Sequence, residues 1–319
     1  MAPDRTPLSI IIVTFNNADT IRDCLSSIPN GMAEIIIVDN ASQDDTCNAI
    51  TAEFPAVTLL RSPVNSGFAA AVMRGASVAS GSRLLLVNPD AVLDGDCISR
   101  LMDFADKAPG HGIYGANARF ADGRSNRLAG LDRPTFRGTL FAALGLRAIF
   151  AGSPLFDPEA VWPRLDQTAA EAVPVDVVSG ACLLIARPLW DRLNGFDLRY
   201  FMYGEDADLC LRARQMGYDP VILPKATLVH HVAGSAASPA STQVFLLTAR
   251  TTLAHTYGSP ALRISIGLLH RLHVLLRLGA SSIAPGSSAA RRTDWRQVWR
   301  SRAIWARGYP APPGKGPGR

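Results

Sequence analysis

Leu8-Ser-Ile-Ile-Ile-Val-Thr14 is a continuous, largely β-branched apolar run. A half-exposed strand would alternate polar and apolar residues. An uninterrupted run fits a strand covered on both faces, as in a parallel sheet. Working outward, Asp19 stands where it can cap a helix running to about Ile28. A second buried strand, Glu34 to Val38, ends in Asp39-Asn40-Ala41-Ser42-Gln43-Asp44. A third, near Val57 to Arg61, precedes Asn65-Ser66-Gly67-Phe68 and an Ala-rich helix, and a fourth, Arg83 to Val87, ends in Asn88-Pro89-Asp90. Strands alternating with helices at this spacing predict an α/β fold, a mostly parallel sheet with helices on both faces and right-handed crossovers. Ligands of such sheets bind beyond the carboxyl ends of the strands, so these polar loops should converge on one site.

Several functions are excluded by what the loops lack. No Gly-x-Gly-x-x-Gly follows the first strand and no phosphate loop ends in Gly-Lys-Ser/Thr, which argues against a dinucleotide dehydrogenase and a P-loop nucleotidase. Phe15-Asn16-Asn17 occupies the place of the glycine-rich loop expected of a sugar nucleotidylyltransferase. The 319 residues, 48% of them hydrophobic, suffice for one large domain or a domain with an appendage. Five scattered cysteines, odd in number and without metal-type spacing, point to a reducing cytoplasm. The first apolar run ends at Phe15, too soon for a signal peptide.

A second constellation runs from Gly195 to Gly217 and contains Glu205, Asp206 and Asp208 at the start of a short helix that Gly217 can end. Acidic residues in a first turn suit the helix dipole. Here Phe196, Tyr200, Phe201 and Tyr203 lead into them, and a carboxylate walled by aromatics is partly desolvated, as suits a general base. At about 100° per residue, Asp206 and Asp208 point roughly 200° apart. Asp208 lies four residues before Arg212 and is expected to pair with it, leaving Asp206 as the working acid.

Phe120 to Arg124 reads as a turn centred on Asp122-Gly123. Phe136 to Phe150 is either a mobile amphipathic segment near an acceptor or an ordinary packed helix. Val175 to Ile185 has strand character interrupted by Ser179-Gly180-Ala181, small enough for a substrate to approach the backbone. Asp219 to Leu223 and Lys225 to Val229 are extended and lead into His230-His231, candidates for a metal or phosphate role.

From Ser259 onward ten arginines and one lysine face the single Asp294, a net +10, so the preceding residues carry −5 of the overall +5. Ala261 to Leu278 reads as an amphipathic helix with Arg263, His270, Arg271, His273 and Arg277 on one face and leucines on the other. Arg291 to Tyr309 sets Trp295, Trp299 and Trp305 among arginines. The tail therefore suits an anionic membrane surface or packs on the body; nucleic acid is the weaker reading, since following phosphates needs no apolar face. Pro310 to Arg319 reads as disordered.

These motifs together resemble the family 2 inverting glycosyltransferases of the GT-A fold, especially their bacterial rhamnosyltransferase-like branch. The matching stretches are Val13-Thr14-Phe15-Asn16, Val38 to Ser42, Asn65 to Ala71, Asn88-Pro89-Asp90, Gly195-Phe196-Asp197, Gly204 to Leu209 and His230 to Ser235. The resemblance covers residues 8 to about 258 and implies a GT-A domain over 1–258. Residues up to about 110 would form its nucleotide-sugar half and 111–258 its acceptor half, with 259–319 a basic membrane-associating tail. It implies donor binding by Thr14, Asn16, Asp39, Asn40, Asn65, Gly67, Phe68 and Asn88. Asp39 would accept from a pyrimidine N–H, and Asn65 and Gly67 would lie along ribose and pyrophosphate. Asp90, ending the acidic triplet written here as Asn-Pro-Asp, and His230 would hold Mg²⁺ or Mn²⁺. Gly180, Ala181 and Glu205 would face the acceptor, and Asp206 would deprotonate its hydroxyl. The family usually has a second Asn where this chain has Met73.

The expected activity is transfer of rhamnose or a related sugar from a dTDP- or UDP-linked donor to a cell-surface glycan or polyprenyl-linked acceptor. It would take place in the cytoplasm at the inner face of the membrane. The rival is a catalytically silent nucleotide-sugar or glycan-binding scaffold; keeping Asp39, Asp90, Asp206 and His230 together argues against it.

Overall fold

The computed structural model describes residues 7–120, 122–124, 126–127, 129–230, 238–283 and 289–311. In chain order the first elements are β1 (Leu8–Thr14), α1 (Ile21–Ser26), β2 (Glu34–Asp39), α2 (Thr46–Glu53), β3 (Thr58–Arg61), α3 (Phe68–Val78), β4 (Arg83–Val87), β5 (Ala91–Leu93), α4 (Cys97–Lys107) and β6 (Ile113–Arg119). Then come β7 (Gly130–Leu131), α5 (Phe136–Leu144), α6 (Leu146–Ile149), α7 (Trp162–Gln167), β8 (Val173–Pro174), β9 (Val177–Val178), β10 (Cys182–Ala186) and α8 (Arg187–Arg192). The chain closes with α9 (Glu205–Gln215), β11 (Val221–His230), α10 (Pro239–Tyr257), α11 (Pro260–Ile283), α12 (Ala289–Arg300) and α13 (Arg302–Trp305). These elements pack as two compact units, one of residues 1–131, 161–197 and 205–235, the other of 132–160, 198–204 and 236–319.

The first unit is built on a mixed sheet in the order β3-β2-β1-β4-β10-β6-β11-β5, with β8 also paired to β11. Strands β3, β2, β1 and β4 are parallel, while β10 runs antiparallel between β4 and β6. All seven residues of β1 are buried, as its unbroken apolar pattern requires. Helix α3 lies tight on the sheet because Gly75 has no side chain: a Cβ there would stand 2.7 Å from Ile11 Cγ2 and 3.2 Å from Val38 Cγ2. Two local expectations are revised. Helix α1 starts after Thr20, not at Asp19, and no side chain caps it. The two extended stretches before His230 form one strand, β11, whose register against β6 shifts between Leu223 and Thr227. Pro224 lies within that shift and has no N–H for the ladder.

The second unit is helical. Helices α10, α11, α12 and α13 share a core of Ala240, Leu247, Val274, Val298 and Trp305. Phe136 to Phe150 is packed helix: Thr135 caps α5 by accepting from Gly138 N–H, and left-handed Gly145 separates α5 from α6. Within this unit Glu159 is fully buried and accepts from the guanidinium groups of both Arg147 and Arg250, while Asp157 takes a second contact from Arg147. Buried charges persist when each has a partner, as here.

The tail differs from its sequence reading. His270 is buried and His273 half-buried on the inward side of α11, with Leu262, Ile266 and Leu269. Ile264 and Leu268 face solvent instead. Trp305 is fully buried, and Trp295 and Trp299 pack partly buried against the same core. Helical spacing alone gives which residues share a face, not which face turns inward. Among the described residues no helix is long and apolar enough to cross a membrane. His231 to Ser235 and most of Pro310 to Arg319 lie outside the described residues.

Candidate active site

The carboxyl ends of β1 and β2 are laced together. Parallel register sets Thr14 beside Asp39, and Thr14 Oγ1 donates to Asp39 Oδ1 at 3.1 Å. Asp39 Oδ2 accepts from Ser42 N–H at 3.1 Å, which fixes the carboxylate at the strand end. Asn16 and Ala41 both have positive φ, 56° and 70°. Backbone strain of this kind concentrates where function fixes a loop's shape. Asn16 Oδ1 accepts from Gln43 N–H, and Asn16 N–H donates to Ser42 Oγ.

Asn40 is buried and organises the β3–α3 loop. Its amide nitrogen donates to Asn65 Oδ1 at 2.9 Å and to the Gly67 carbonyl at 3.2 Å, while its oxygen accepts from Ser66 N–H. Asn65 Oδ1 also accepts from Gly67 N–H, and Gly67, at φ 86°, turns the chain into α3. Such a positive φ favours glycine. The loop, tied to Asn40, therefore delivers the N-terminus of α3, whose first-turn N–H groups have no acceptor within the helix. Met73, on the same helix, has its sulfur so close over Gly195 that a Cβ there would lie 2.3 Å away.

Asp90 and His230 meet across 140 residues because β5 and β11 pair antiparallel with His230 opposite Ala91. His230 Nε2 lies 3.1 Å from Asp90 Oδ1 and 3.3 Å from the Asn88 amide nitrogen. His230 Nδ1, on the other side of the ring, lies 3.5 Å from the Asn126 amide nitrogen. Asn126 is almost fully buried, and sequence reading missed it. It follows a turn and belongs to no motif, so only the fold reveals it. The donor set of one carboxylate, one imidazole and one side-chain amide suits a hard or borderline divalent cation. Among the described residues no three His, Cys, Asp or Glu side chains converge on a metal-sized site, so diphosphate oxygens or water would have to supply the remaining positions.

Helix α9 sorts its carboxylates as helical spacing predicts. Asp208 is buried and pairs with Arg212 at 2.7 Å; that guanidinium also donates to the carbonyls of Leu193 and Gly195. Asp206 is half-buried and accepts from Gly180 N–H at 3.0 Å on Oδ2. Glu205 is buried, and among the described residues its Oε2 has no hydrogen-bond partner. Burial pushes its carboxyl well above the usual range, and the charges of Asp206 and then Asp208 push the same way. Glu205 thus tends to hold a proton beside an acid that is more open to solvent.

The β9–β10 loop joins these parts. Asn88 N–H donates to the Ala181 carbonyl at 3.0 Å. Gly180 leaves its Cβ side to Phe68 and Asp206: a Cβ there would stand 3.5 Å from the Phe68 ring and 3.8 Å from Asp206 Cβ. Ala181 itself is buried. Of the aromatics preceding α9, Phe196 packs on Phe68 and Trp190. Tyr200 and Phe201 have their ring contacts with Tyr309 and Phe245 instead, inside the second unit.

The chain is similar in sequence and fold to known proteins. The family model for Glycosyl transferase family 2 matches residues 9–160. The chain is 30% identical over 265 residues to the N-acetylglucosaminyl-diphospho-decaprenol L-rhamnosyltransferase of Mycobacterium tuberculosis, covering 75% of this chain and 83% of that one. In fold it is similar to the mannosyltransferase PcManGT from Pyrobaculum calidifontis, solved with GDP-Man and Mn²⁺. There the TM-score is 0.57 at 17% identity, over 95% of this chain and 87% of that one. It is also similar to GalNAc-T7, solved with UDP, GalNAc and Mn²⁺, with a TM-score of 0.58 at 15% identity over 98% of this chain and 59% of that one. The chain belongs to glycosyltransferase family 2 and carries the GT-A fold.

Proposed function

We propose that this glycosyltransferase moves rhamnose or a related sugar from a dTDP- or UDP-linked donor to a hydroxyl of a polyprenyl-linked saccharide at the inner face of the membrane, with inversion. The observation that carries the reading is the Gly180 junction. Gly180 N–H donates to Asp206, and a Cβ on the same glycine would stand 3.5 Å from the ring of Phe68, the first residue of the donor-side helix. The identity to a rhamnosyltransferase named for a decaprenol-linked substrate supports the choice of sugar and acceptor class.

The roles follow from the chemistry. Asp39, held by Thr14 and Ser42, keeps lone pairs for a pyrimidine N–H. Asn16 and Asn40 shape the loops around it, and the Asn65–Gly67 turn with the start of α3 receives ribose and pyrophosphate oxygens. Asn88, Asp90 and His230 fit Mg²⁺ or Mn²⁺, and such an ion would neutralise charge building on the departing diphosphate. Asp206 takes the proton of the acceptor hydroxyl as that oxygen attacks the anomeric carbon from the face opposite the diphosphate. Gly180 N–H holds the Asp206 carboxylate in place, and Glu205, by tending to keep its own proton, adds no second negative charge beside it.

The test joins binding to turnover. Nucleotide sugars are screened by protection against thermal unfolding with and without Mn²⁺, and the protective donor is then incubated with a polyprenyl-diphosphate saccharide and the product read by mass. One protective pyrimidine donor and one added sugar are expected. Protection without transfer would make the protein a silent binder, and protection by no nucleotide sugar would end the reading.

A further inference from the structure

Arginines of the first unit have partners within it. Arg83, Arg212 and Arg214 pair with carboxylates, Arg192 donates to the Tyr218 hydroxyl, and Arg127 lies over the Trp162 ring. Arg119 does not follow them. Among the described residues its side chain has no hydrogen bond, ion pair or ring contact, although it is half-buried and its Nε is shut off from solvent. A cation withdrawn from water without a counter-charge is unfavourable, and an anion brought by a ligand relieves it. The fold places this arginine. Strand β6 runs parallel to β1, β2, β4 and β11, so Arg119 ends it at the same sheet edge as Thr14, Asp39 and His230. Leu183 of β10 stands opposite Gly115, which brings the Ser179–Ala181 turn before β10 level with the end of β6. On the other flank Val229 is the register partner of Arg119. Strand residues alternate between faces, so Arg119 shares the face of Gly115 and Val229, while His230 turns to the opposite one. The Gly115 face carries β9 and α9: a Cβ on Gly115 would stand 2.5 Å from Val178 Cγ1, and Val178 N–H donates to Cys210 Sγ of α9 at 3.4 Å. Helix α9 also holds Asp206, so Arg119 lies on the side of the base rather than of the histidine. Val229 and its partner on β5, Val92, are only half-buried, so packing does not seal this end of the face.

We propose that Arg119 binds the diphosphate that joins the acceptor saccharide to its polyprenyl chain. The inference deepens the function proposed above and rests on it. Two diphosphates enter such a reaction. That of the donor is served by the start of α3 and by Asn88, Asp90 and His230. The acceptor hydroxyl has to reach Asp206, which leaves the acceptor's diphosphate at the far end of its sugar, on the face of the sheet that carries the base. A guanidinium suits that group because its planar N–H donors match two phosphate oxygens at once and its charge is permanent.

Titration calorimetry on the full-length protein tests this with geranyl diphosphate, a short prenyl diphosphate, and with geraniol, which lacks the diphosphate. Saturating UDP and Mn²⁺ are present throughout, so that the donor side is filled. The parent should bind geranyl diphosphate and prefer it to geraniol. Arg119→Gln should weaken geranyl diphosphate roughly ten- to a hundredfold, as expected for a lost charge-assisted contact, and leave geraniol and UDP unchanged. Arg119→Lys, which keeps the charge without the fork, should retain part of the preference. Equal geranyl diphosphate affinity in parent and Arg119→Gln would overturn the proposal, as would a parent that does not bind it. Weaker UDP binding in Arg119→Gln would also overturn it, since the arginine then serves the donor diphosphate. Equal losses for geraniol and geranyl diphosphate would reduce Arg119 to a packing role. A parent that binds geranyl diphosphate through Arg119 yet transfers no sugar to a polyprenyl-diphosphate saccharide would instead remove the transferase reading and leave the diphosphate site.

Discussion

Asp206 and Asp208 stand two residues apart on α9, and replacing each by Asn should injure the protein in different ways. Asp206 is half-buried and accepts from Gly180 N–H at 3.0 Å and from Ala207 N–H at 2.8 Å. An asparagine has one acceptor oxygen, so one of these two bonds is lost, at about 0.5–1.5 kcal/mol of stability. The larger effect is on turnover, because an amide takes no proton: kcat should fall by roughly 10² to 10⁴, a barrier increase of about 3–5 kcal/mol. Asp208 reverses the balance. Its side chain is 2% exposed against 24% for Arg212. Arg212 stays in place through the carbonyls of Leu193 and Gly195, so Asp208→Asn leaves a cation held there without its counter-charge. Removing one partner of a buried pair costs about 3–5 kcal/mol, and Arg212's partial exposure puts this case near the lower end. Turnover of the folded fraction should stay within a few-fold of the parent. The assay is release of nucleoside diphosphate at saturating donor and acceptor, with urea unfolding followed by circular dichroism on the same samples. Full kcat in Asp206→Asn, or a stable but inactive Asp208→Asn, would refute the assignment of the two acids.

Two further perturbations test other parts of the molecule. Asp90→Ala should abolish the extra thermal protection that Mn²⁺ adds to a nucleoside diphosphate and lower turnover at least a hundredfold; unchanged Mn²⁺ dependence would remove Asp90 from the metal role. Burial, then the nearby Arg250 and His273, lowers His270 from 6.5 to about 3, and burial followed by Arg277 and Arg250 lowers His273 to about 4. Both histidines stay neutral when folded but take up a proton when unfolded below pH 6.5, so the stability they confer is present above that pH and lost as pH falls toward 4. Each removes about 1.4 kcal/mol per pH unit in that window. Tryptophan fluorescence, with Trp305 buried against His270, should report loosening of the helical unit between about pH 6 and 4.5. His270→Gln/His273→Gln should flatten the dependence, and a flat profile in the parent would contradict the reading.

The sequence by itself determined the parts whose signal is local. Leu8–Thr14 had to be a strand buried on both faces, because seven residues without an exposed polar side offer no face to water. The polar strand ends, the Asn65–Gly67 turn and the opposite facing of Asp206 and Asp208 followed from backbone period and residue type. Tertiary structure decided what depends on distant partners. Nothing near His230 specifies that β11 pairs antiparallel with β5, yet that register sets the imidazole against Asp90 and makes Asn126 its third neighbour. The direction of β10, which brings Gly180 to Asp206, is likewise fixed by pairing with β4 and β6. In the tail, the sequence set a basic face of α11 against a leucine face but could not show which residues are covered. The helical core took Leu262, Ile266, His270 and the tryptophans inward and left Ile264 and Leu268 outside. Periodicity is a property of one helix, whereas burial is settled by the surfaces that other segments bring to it.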